Sequence, residues 1–215
     1  VKPFKVYIYM HVPNQGAELL WVTGKNGGDA LVYPGSFPYI NLNLDPYGTL
    51  LRRNQHHTLL RSGFDYLKGI IEFALDTAGA DFGKYFSCKG LVQVGGRACY
   101  KVIIEYDQFN YLTYTVKKGQ TILNIANERK VSEYMIVSIN PDVDDYDDVR
   151  EGQKIKIPVV YAKKSVVYID RINYLPLKQE MYDDKGLFEK YEFLNLKINP
   201  TIYEEEFTEG FKDYN

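Results

Sequence analysis

Tyr114-Thr-Val-Lys-Lys-Gly-Gln-Thr-Ile-Leu-Asn-Ile-Ala126, then Val131-Ser-Glu-Tyr-Met-Ile-Val-Ser-Ile-Asn-Pro141, then Val149-Arg-Glu-Gly-Gln-Lys-Ile-Lys-Ile-Pro158 is the stretch that organises this chain. Residues 114–116 are β-formers, and Lys118-Gly119 turns the chain. Gln120 or Thr121 stands where a cap is needed for a helix with Ile122, Ile125 and Ala126 on one face. Ser132 is placed to cap a second helix with Met135, Ile136 and Ile139 inward, and Asn140-Pro141 stops it. Glu151-Gly152 turns into a strand over 154–157, with Ile155 and Ile157 on one face. The pattern predicts a β-α-α-β unit whose two strands pair at its ends.

In this order and spacing the residues resemble a LysM domain, the small module that binds N-acetylglucosamine glycans such as peptidoglycan. The resemblance spans 114–158. It implies a groove between two loops, Gly119-Gln120-Thr121-Ile122 and Asn140-Pro141-Asp142-Val143. Backbone amides and carbonyls there would hold acetamido groups, with an apolar side chain under the sugar. An acetamide has one donor, one acceptor and a methyl, and the glycan is neutral, so hydrogen bonds and shape must carry specificity. The family's first loop usually reads Gly-Asp-Thr. Here Gln120 keeps an acceptor oxygen without the charge.

The composition narrows the function classes. A net charge of −2 over 215 residues offers no field for nucleic acid. No apolar run reaches the ~18 residues of a helical membrane span. The 20 tyrosines suit half-buried strands and, as a second reading, sugar stacking. Cys88 and Cys99 make neither a metal site nor a disulfide framework, and a hairpin turning at Gly95-Gly96 places Cys88 near position 103 rather than opposite Cys99. Whether the two pair stays open. Val1 opens directly into strand-like sequence with no signal peptide, as a fragment or processed product would.

Outside the insert the chain alternates. Strands are expected at 4–12, 17–23, 30–33 and 39–44, with a hairpin at Lys25-Asn26-Gly27-Gly28. A short helical piece over 54–60 precedes a longer helix from 63 or 64 to about 77. Ser62 is its cap, Gly79 its end, and Leu67, Ile70, Ile71, Ala74 and Leu75 its apolar stripe. Strands resume at 84–94, 97–106, 165–172, 176–182 and 187–198. Removing 107–163 would leave an ordinary hairpin connection, so the LysM-like unit is an insertion at a surface loop.

The flanks carry a second resemblance. Asp170-Arg-Ile-Asn-Tyr-Leu-Pro-Leu-Lys-Gln-Glu-Met-Tyr-Asp-Asp-Lys-Gly186 with Phe188-Glu-Lys-Tyr-Glu-Phe-Leu-Asn-Leu-Lys-Ile-Asn-Pro200 resembles the closing strands of the LolA/LolB-like group of periplasmic lipoprotein carriers. Lys2-Pro-Phe-Lys-Val-Tyr-Ile-Tyr9, Gly16-Ala-Glu-Leu-Leu-Trp-Val22, Leu44-Asp-Pro-Tyr-Gly48 and Arg53-Asn-Gln-His-His-Thr58 are similar to an uncharacterised family of secreted bacterial proteins thought to share that fold. The fold class expected is α+β: a curved antiparallel sheet, an open half-barrel, packed on a helix and interrupted by a β-α-α-β LysM domain. The domains expected are 1–106 with 164–215, discontinuous, and 112–159.

Other constellations read as structure. Asp142, Asp144, Asp145, Asp147 and Asp148 lack the glycine and distal glutamate of a calcium loop. His56-His57 has no further ligand at metal spacing. Glu204-Glu205-Glu206 is a solvated tail, and no catalytic pair or triad stands out. No catalytic residue, metal or cofactor is expected. The leading expectation is a non-enzymatic, periplasmic or cell-envelope bacterial protein. Its LysM unit binds peptidoglycan or a chitin-like glycan, and its sheet carries a lipid or lipoprotein. Alternatives are a peptidoglycan-targeted hydrolase and an envelope scaffold that binds proteins. Whether the long helix fills the sheet's concavity, or leaves room for an acyl chain, the sequence leaves open.

Overall fold

The structure is a computed structural model that describes residues 3–37, 39–53 and 55–211. It divides into two compact units, residues 1–62 with 197–215, and residues 63–196. These boundaries differ from the sequence division, because the acidic tail lies against the first sheet. In the tail, the short 3-10 turn Glu204–Phe207 pairs its Glu204 with Lys5, and Phe207 lies under the same ammonium group.

The first unit is a meander of β1 (Lys5–Tyr9), β2 (Glu18–Val22), β3 (Ala30–Tyr33) and β4 (Leu42–Leu44), antiparallel and in sequence order. Period-two alternation puts Val6, Leu19, Ala30 and Val32 into one small core with Leu59. The expected hairpin at 25–28 is present, and Trp21 donates its indole N–H to the Gly28 carbonyl at 2.9 Å. Gly35 is the tightest point: at φ +66°, an added Cβ would lie 2.4 Å from the Gly16 carbonyl carbon. The short helix expected over 54–60 is not formed across 55–58: helix α1 (Thr49–Arg52) precedes it and a 3-10 turn at Leu59–Arg61 overlaps only its end; Asn54, its expected first residue, lies outside the described residues.

The second unit holds a five-stranded antiparallel sheet of β5 (Phe86–Val94), β6 (Arg97–Glu105), β9 (Lys164–Asp170), β10 (Pro176–Tyr182) and β11 (Leu187–Glu192), ordered β11-β10-β9-β6-β5. Among the described residues this sheet is separate from the β1–β4 meander, where the alternation had suggested one continuous sheet. Alternation identifies strands and their inner faces, not their partners. Helix α2 (Asp65–Ala78) has the expected extent and ends at Gly79 with φ +51°. Ser62 closes the preceding 3-10 turn instead of capping α2, and the short helix α3 (Phe82–Tyr85) replaces the start of the expected strand. No residue of α2 is fully buried, so its apolar stripe is half-covered and does not fill a closed core.

Cys88 and Cys99 are both free, Cys88 exposed and Cys99 buried. Cys88 faces Val102 and Cys99 faces Val92. The bulge between Cys88 and Leu91, with Gly90 at φ +85°, shifts the register by one from the hairpin count.

β6 and β9 pair through Glu105↔Lys164, where the chain leaves and re-enters the sheet. The stem continues as Tyr106 N–H to the Lys163 carbonyl and Val159 N–H to the Asn110 carbonyl. It then becomes β7 (Tyr111–Thr115) paired with β8 (Lys154–Pro158). The LysM-like unit therefore grows out of a paired stem, as an insertion must.

At the far end of β9, Asp170 is 1% exposed and accepts amide N–H bonds from Ile172 (2.7 Å) and Asn173 (3.0 Å), with Arg97 at 2.6 Å. Burial works against the charge, but the two amides and the guanidinium outweigh it and hold the carboxyl below its ordinary range.

Two outcomes are expected. Gly35→Ala should cost at least about 2 kcal/mol, from a positive φ and a backbone clash, measurable by urea unfolding. Asp170 contributes stability that is present above the unfolded carboxylate pKa of about 4 and is lost as pH falls through its lower folded value. Asp170→Asn should therefore flatten the acid limb of a stability–pH curve below about pH 4 while leaving its neutral limb parallel.

Candidate functional site

The inserted unit has its own core. Tyr114, Val116, Ile122, Ile125, Ala126, Val131, Ile136, Val143, Tyr146, Ile155 and Ile157 pack together. Helix α4 (Ile122–Arg129) is capped by Thr121, whose Oγ1 accepts from Asn124 N–H while Asn124 Oδ1 accepts from Thr121 N–H. This reciprocal box places the cap at the second of the two candidates read from sequence. Helix α5 (Glu133–Ser138) is capped by Ser132, as expected.

The two loops meet. Ile122 N–H donates to the Tyr146 carbonyl at 2.7 Å, joining the first loop to the segment after α5. Gly119 makes the first loop possible at φ +73°. Gln120 closes it: Oε1 accepts from Lys117 N–H and Tyr114 O–H, both at 2.9 Å, and Nε2 donates to Glu128 at 3.2 Å. An aspartate could accept the first two bonds but would repel Glu128, so the amide suits this neighbour.

Asn140 clamps the second loop. Its Oδ1 accepts from Lys156 N–H at 2.7 Å, and its Nδ2 donates to the Lys156 carbonyl at 2.8 Å and the Ile136 carbonyl at 2.7 Å. One side chain thus ties the end of α5 to β8. Val143 N–H returns to the Asn140 carbonyl at 3.0 Å. The aspartates serve the loop itself: Asp148 accepts from Asp144 N–H and Asp145 from Tyr146 N–H.

The sequence-read residues therefore divide by role. Gly119, Gln120, Thr121, Pro141 and Asp142 lie at the surface or partly so. Ile122 and Val143 are core residues, and their N–H groups are already bonded to the Tyr146 and Asn140 carbonyls. Asn140 is a buried brace. Two residues were not legible from the motif: Tyr146, whose carbonyl holds the Ile122 N–H, and Glu128, which holds Gln120. The signal for Glu128 was its place near the end of α4, two turns beyond the cap and on the polar side of the helix.

The unit is also fastened to the sheet that carries it. Tyr111 donates its hydroxyl to Asp184 at 2.5 Å, in the turn between β10 and β11. Tyr134 of α5 packs on Phe188, with ring centroids 6.3 Å apart. Tyr161, just past β8, donates to the buried Glu189 of β11 at 2.9 Å and lies 6.4 Å from the Tyr66 ring. Burial and the Glu189 carboxylate push the Tyr161 phenol well above a tyrosine's ordinary pKa. Burial, Glu189, Tyr66 and Glu133 push Tyr191 in the same direction.

Comparison with known proteins agrees with this geometry. The LysM domain family model matches residues 114–158. No curated protein sequence matches the chain at a significant level. Among solved structures, a DUF1329 family protein from Desulfovibrio piger is 12% identical with a TM-score of 0.30, over 88% of this chain and 56% of that one. A domain described as a putative outer membrane lipoprotein-sorting protein, from Vibrio parahaemolyticus, is 17% identical with a TM-score of 0.31, over 92% of this chain and 59% of that one. The chain thus spans less than two thirds of either neighbour, and likeness of this degree carries no assignment of function.

Asn140→Ala should cost about 1–3 kcal/mol by removing the partner of the part-buried Lys156 backbone groups and the buried Ile136 carbonyl. Hydrogen exchange at the Lys156 amide should accelerate with it, while amides of β1–β4 keep their protection. On sequence match and on β-α-α-β fold alike, residues 114–158 are a LysM domain.

Proposed function

We propose that this is a bacterial cell-envelope protein that binds N-acetylglucosamine glycan, peptidoglycan foremost, through its LysM domain. The carrying observation is a complete LysM unit with a core of its own, in which the Ile122–Tyr146 bond ties the first loop to the segment that follows the second. The glycan would lie against Gly119, Gln120 and Thr121 on one side and Pro141 and Asp142 on the other. Ile122 and Val143, read from the sequence as part of this site, lie buried behind these loops, and Asn140 braces the second loop. We read the chain as a binding protein rather than an enzyme, because the matched family is a binding module. We place it outside the cytoplasm, where such glycans are found. Among the described residues no helix is long and apolar enough to cross a membrane.

We extend the reading to the rest of the chain, 1–106 with 164–215, as a module with a lipid or lipoprotein ligand. The supporting observation is an incompletely covered apolar face on the five-stranded sheet. Strand register puts Phe86, Leu91, Tyr100, Ile104, Val167 and Met181 on that face, with Val167 and Met181 already buried at its centre. Phe86 and Leu91 stay exposed, and the apolar stripe of α2 is only half-buried. Each methylene buried there would contribute about 0.8 kcal/mol, enough for a long acyl chain to bind without a special residue.

The test is sedimentation of the purified chain with insoluble peptidoglycan, followed by titration with N-acetylglucosamine oligomers of increasing length. Affinity should rise with length, and Gly119→Val with Thr121→Ala should weaken it about tenfold or more by deforming the first loop and uncapping α4. Sedimentation that fails, or that is unchanged in the double variant, removes the glycan reading.

A further inference from the structure

The first unit carries a surface feature that glycan binding does not use. β1 and β2 pair through Tyr9↔Glu18, β2 and β3 through Glu18↔Tyr33, and β3 and β4 through Val32↔Leu42. The connections 10–17 and 34–41 therefore leave the same end of the sheet. They are locked side by side by the close approach of Gly35 to Gly16. The first is stapled by Met10 N–H to the Ala17 carbonyl (2.8 Å) and Gly16 N–H to the Met10 carbonyl (2.9 Å). In the second, Tyr39 N–H donates to the Ser36 carbonyl at 2.8 Å, with Tyr39 at φ +53°.

These loops hold large apolar side chains out in solvent. Val12 is 83% exposed, Phe37 86%, Tyr39 63% and Ile40 55%. Scattered exposed apolar residues need no explanation, but four on two adjoining tips form a patch. Residues 10–17 and 34–41 contain no Asp, Glu, Lys or Arg, in a chain where a quarter of residues are charged (25%). Two carboxylates near the base of the tips are engaged there: Glu18 accepts from the Tyr7 hydroxyl and Glu209 from the Asn41 side chain. His11 lies edge-on to Tyr9, with ring centroids 5.0 Å apart.

Two features select the occupant. A stable protein interface buries about 800 Å² per partner and carries a polar rim, whereas these tips hold their exposed apolar side chains with no charged residue among them. A lipid bilayer accepts a narrow protrusion, favours aromatic rings at headgroup depth and penalises charge. We propose that the paired tips 10–17 and 34–41 are a membrane-interface anchor, inserting Val12, Phe37, Tyr39 and Ile40 into the headgroup and upper acyl region of a bilayer. With no Lys or Arg, the tip binds through apolar burial and has no preference for anionic lipid. This anchor stands independently of the LysM reading, since no residue of 114–158 takes part.

The test uses the full chain with extruded phosphatidylcholine vesicles, with and without phosphatidylglycerol, at low and high salt. Cosedimentation should be similar in all four conditions. Phe37→Ser with Ile40→Ser should lower the partition coefficient more than about tenfold, as the loss of two buried side chains requires. Phe37→Trp should show a blue-shifted emission with vesicles that is quenched by nitroxide-labelled lipid. Both positions are exposed, so circular dichroism should show an unchanged fold, and sedimentation with peptidoglycan should be unchanged as well. Failure to partition, partition unaffected by the double variant, or binding confined to anionic vesicles at low salt would each overturn the proposal. So would a concentration-dependent dimer that the double variant abolishes, which would assign the tip to a second copy of the chain.

Discussion

The pairing of β6 with β9 is the constraint on which the second unit depends. Once Glu105 lies opposite Lys164, everything between them must depart from and return to one point on the sheet. An element whose own ends are antiparallel neighbours meets this demand most simply. The LysM fold is such an element, because its first and last strands, β7 and β8, pair along their length. The ladder from β6–β9 into β7–β8 is continued by the Tyr106–Lys163 and Asn110–Val159 backbone bonds. An insertion of this kind needs no rearrangement of its host.

A stem alone would leave the module free to swing, and the structure adds a brace. Tyr111 to Asp184, Tyr134 on Phe188 and Tyr161 to Glu189 all land on β11 or the turn before it. β11 is an edge strand, whose open hydrogen-bonding groups are a hazard in any sheet. Seating the module there fastens it to that strand through side chains and fixes the two loops that would meet the glycan. Tyrosine is well matched to such a seat, because its ring buries apolar area while its hydroxyl meets a carboxylate that would otherwise be costly to bury. Several of the tyrosines that gave the chain its unusual composition are used in this way.

Within the module, polar side chains stand in for backbone. Asn140 pairs with Lys156 through both N–H and carbonyl, as a neighbouring strand would. Gln120 closes a loop that contains no regular structure. Such side chains fix loop shape without adding length, and a ligand that binds through backbone groups depends on that shape. Under the proposed glycan reading, recognition and loop stability are coupled in this domain through residues that need not touch the sugar.

The sequence by itself determined the LysM unit, both its helices and caps, most strands and the insertion. These features are written in local patterns: period-two alternation, a capping residue before an apolar run, a glycine where φ must be positive. It also located both loops, though not that Ile122 and Val143 turn their side chains into the core while Asn140 serves as a clamp. Tertiary structure alone decided the division into two sheets, the fastening of the module to β11, the incomplete cover of α2 and the exposed tips around Phe37. Each of these depends on which elements become neighbours, and neighbours are chosen by packing between residues far apart in the chain. Alternation states which way a side chain faces; only the assembled fold states what, if anything, it faces.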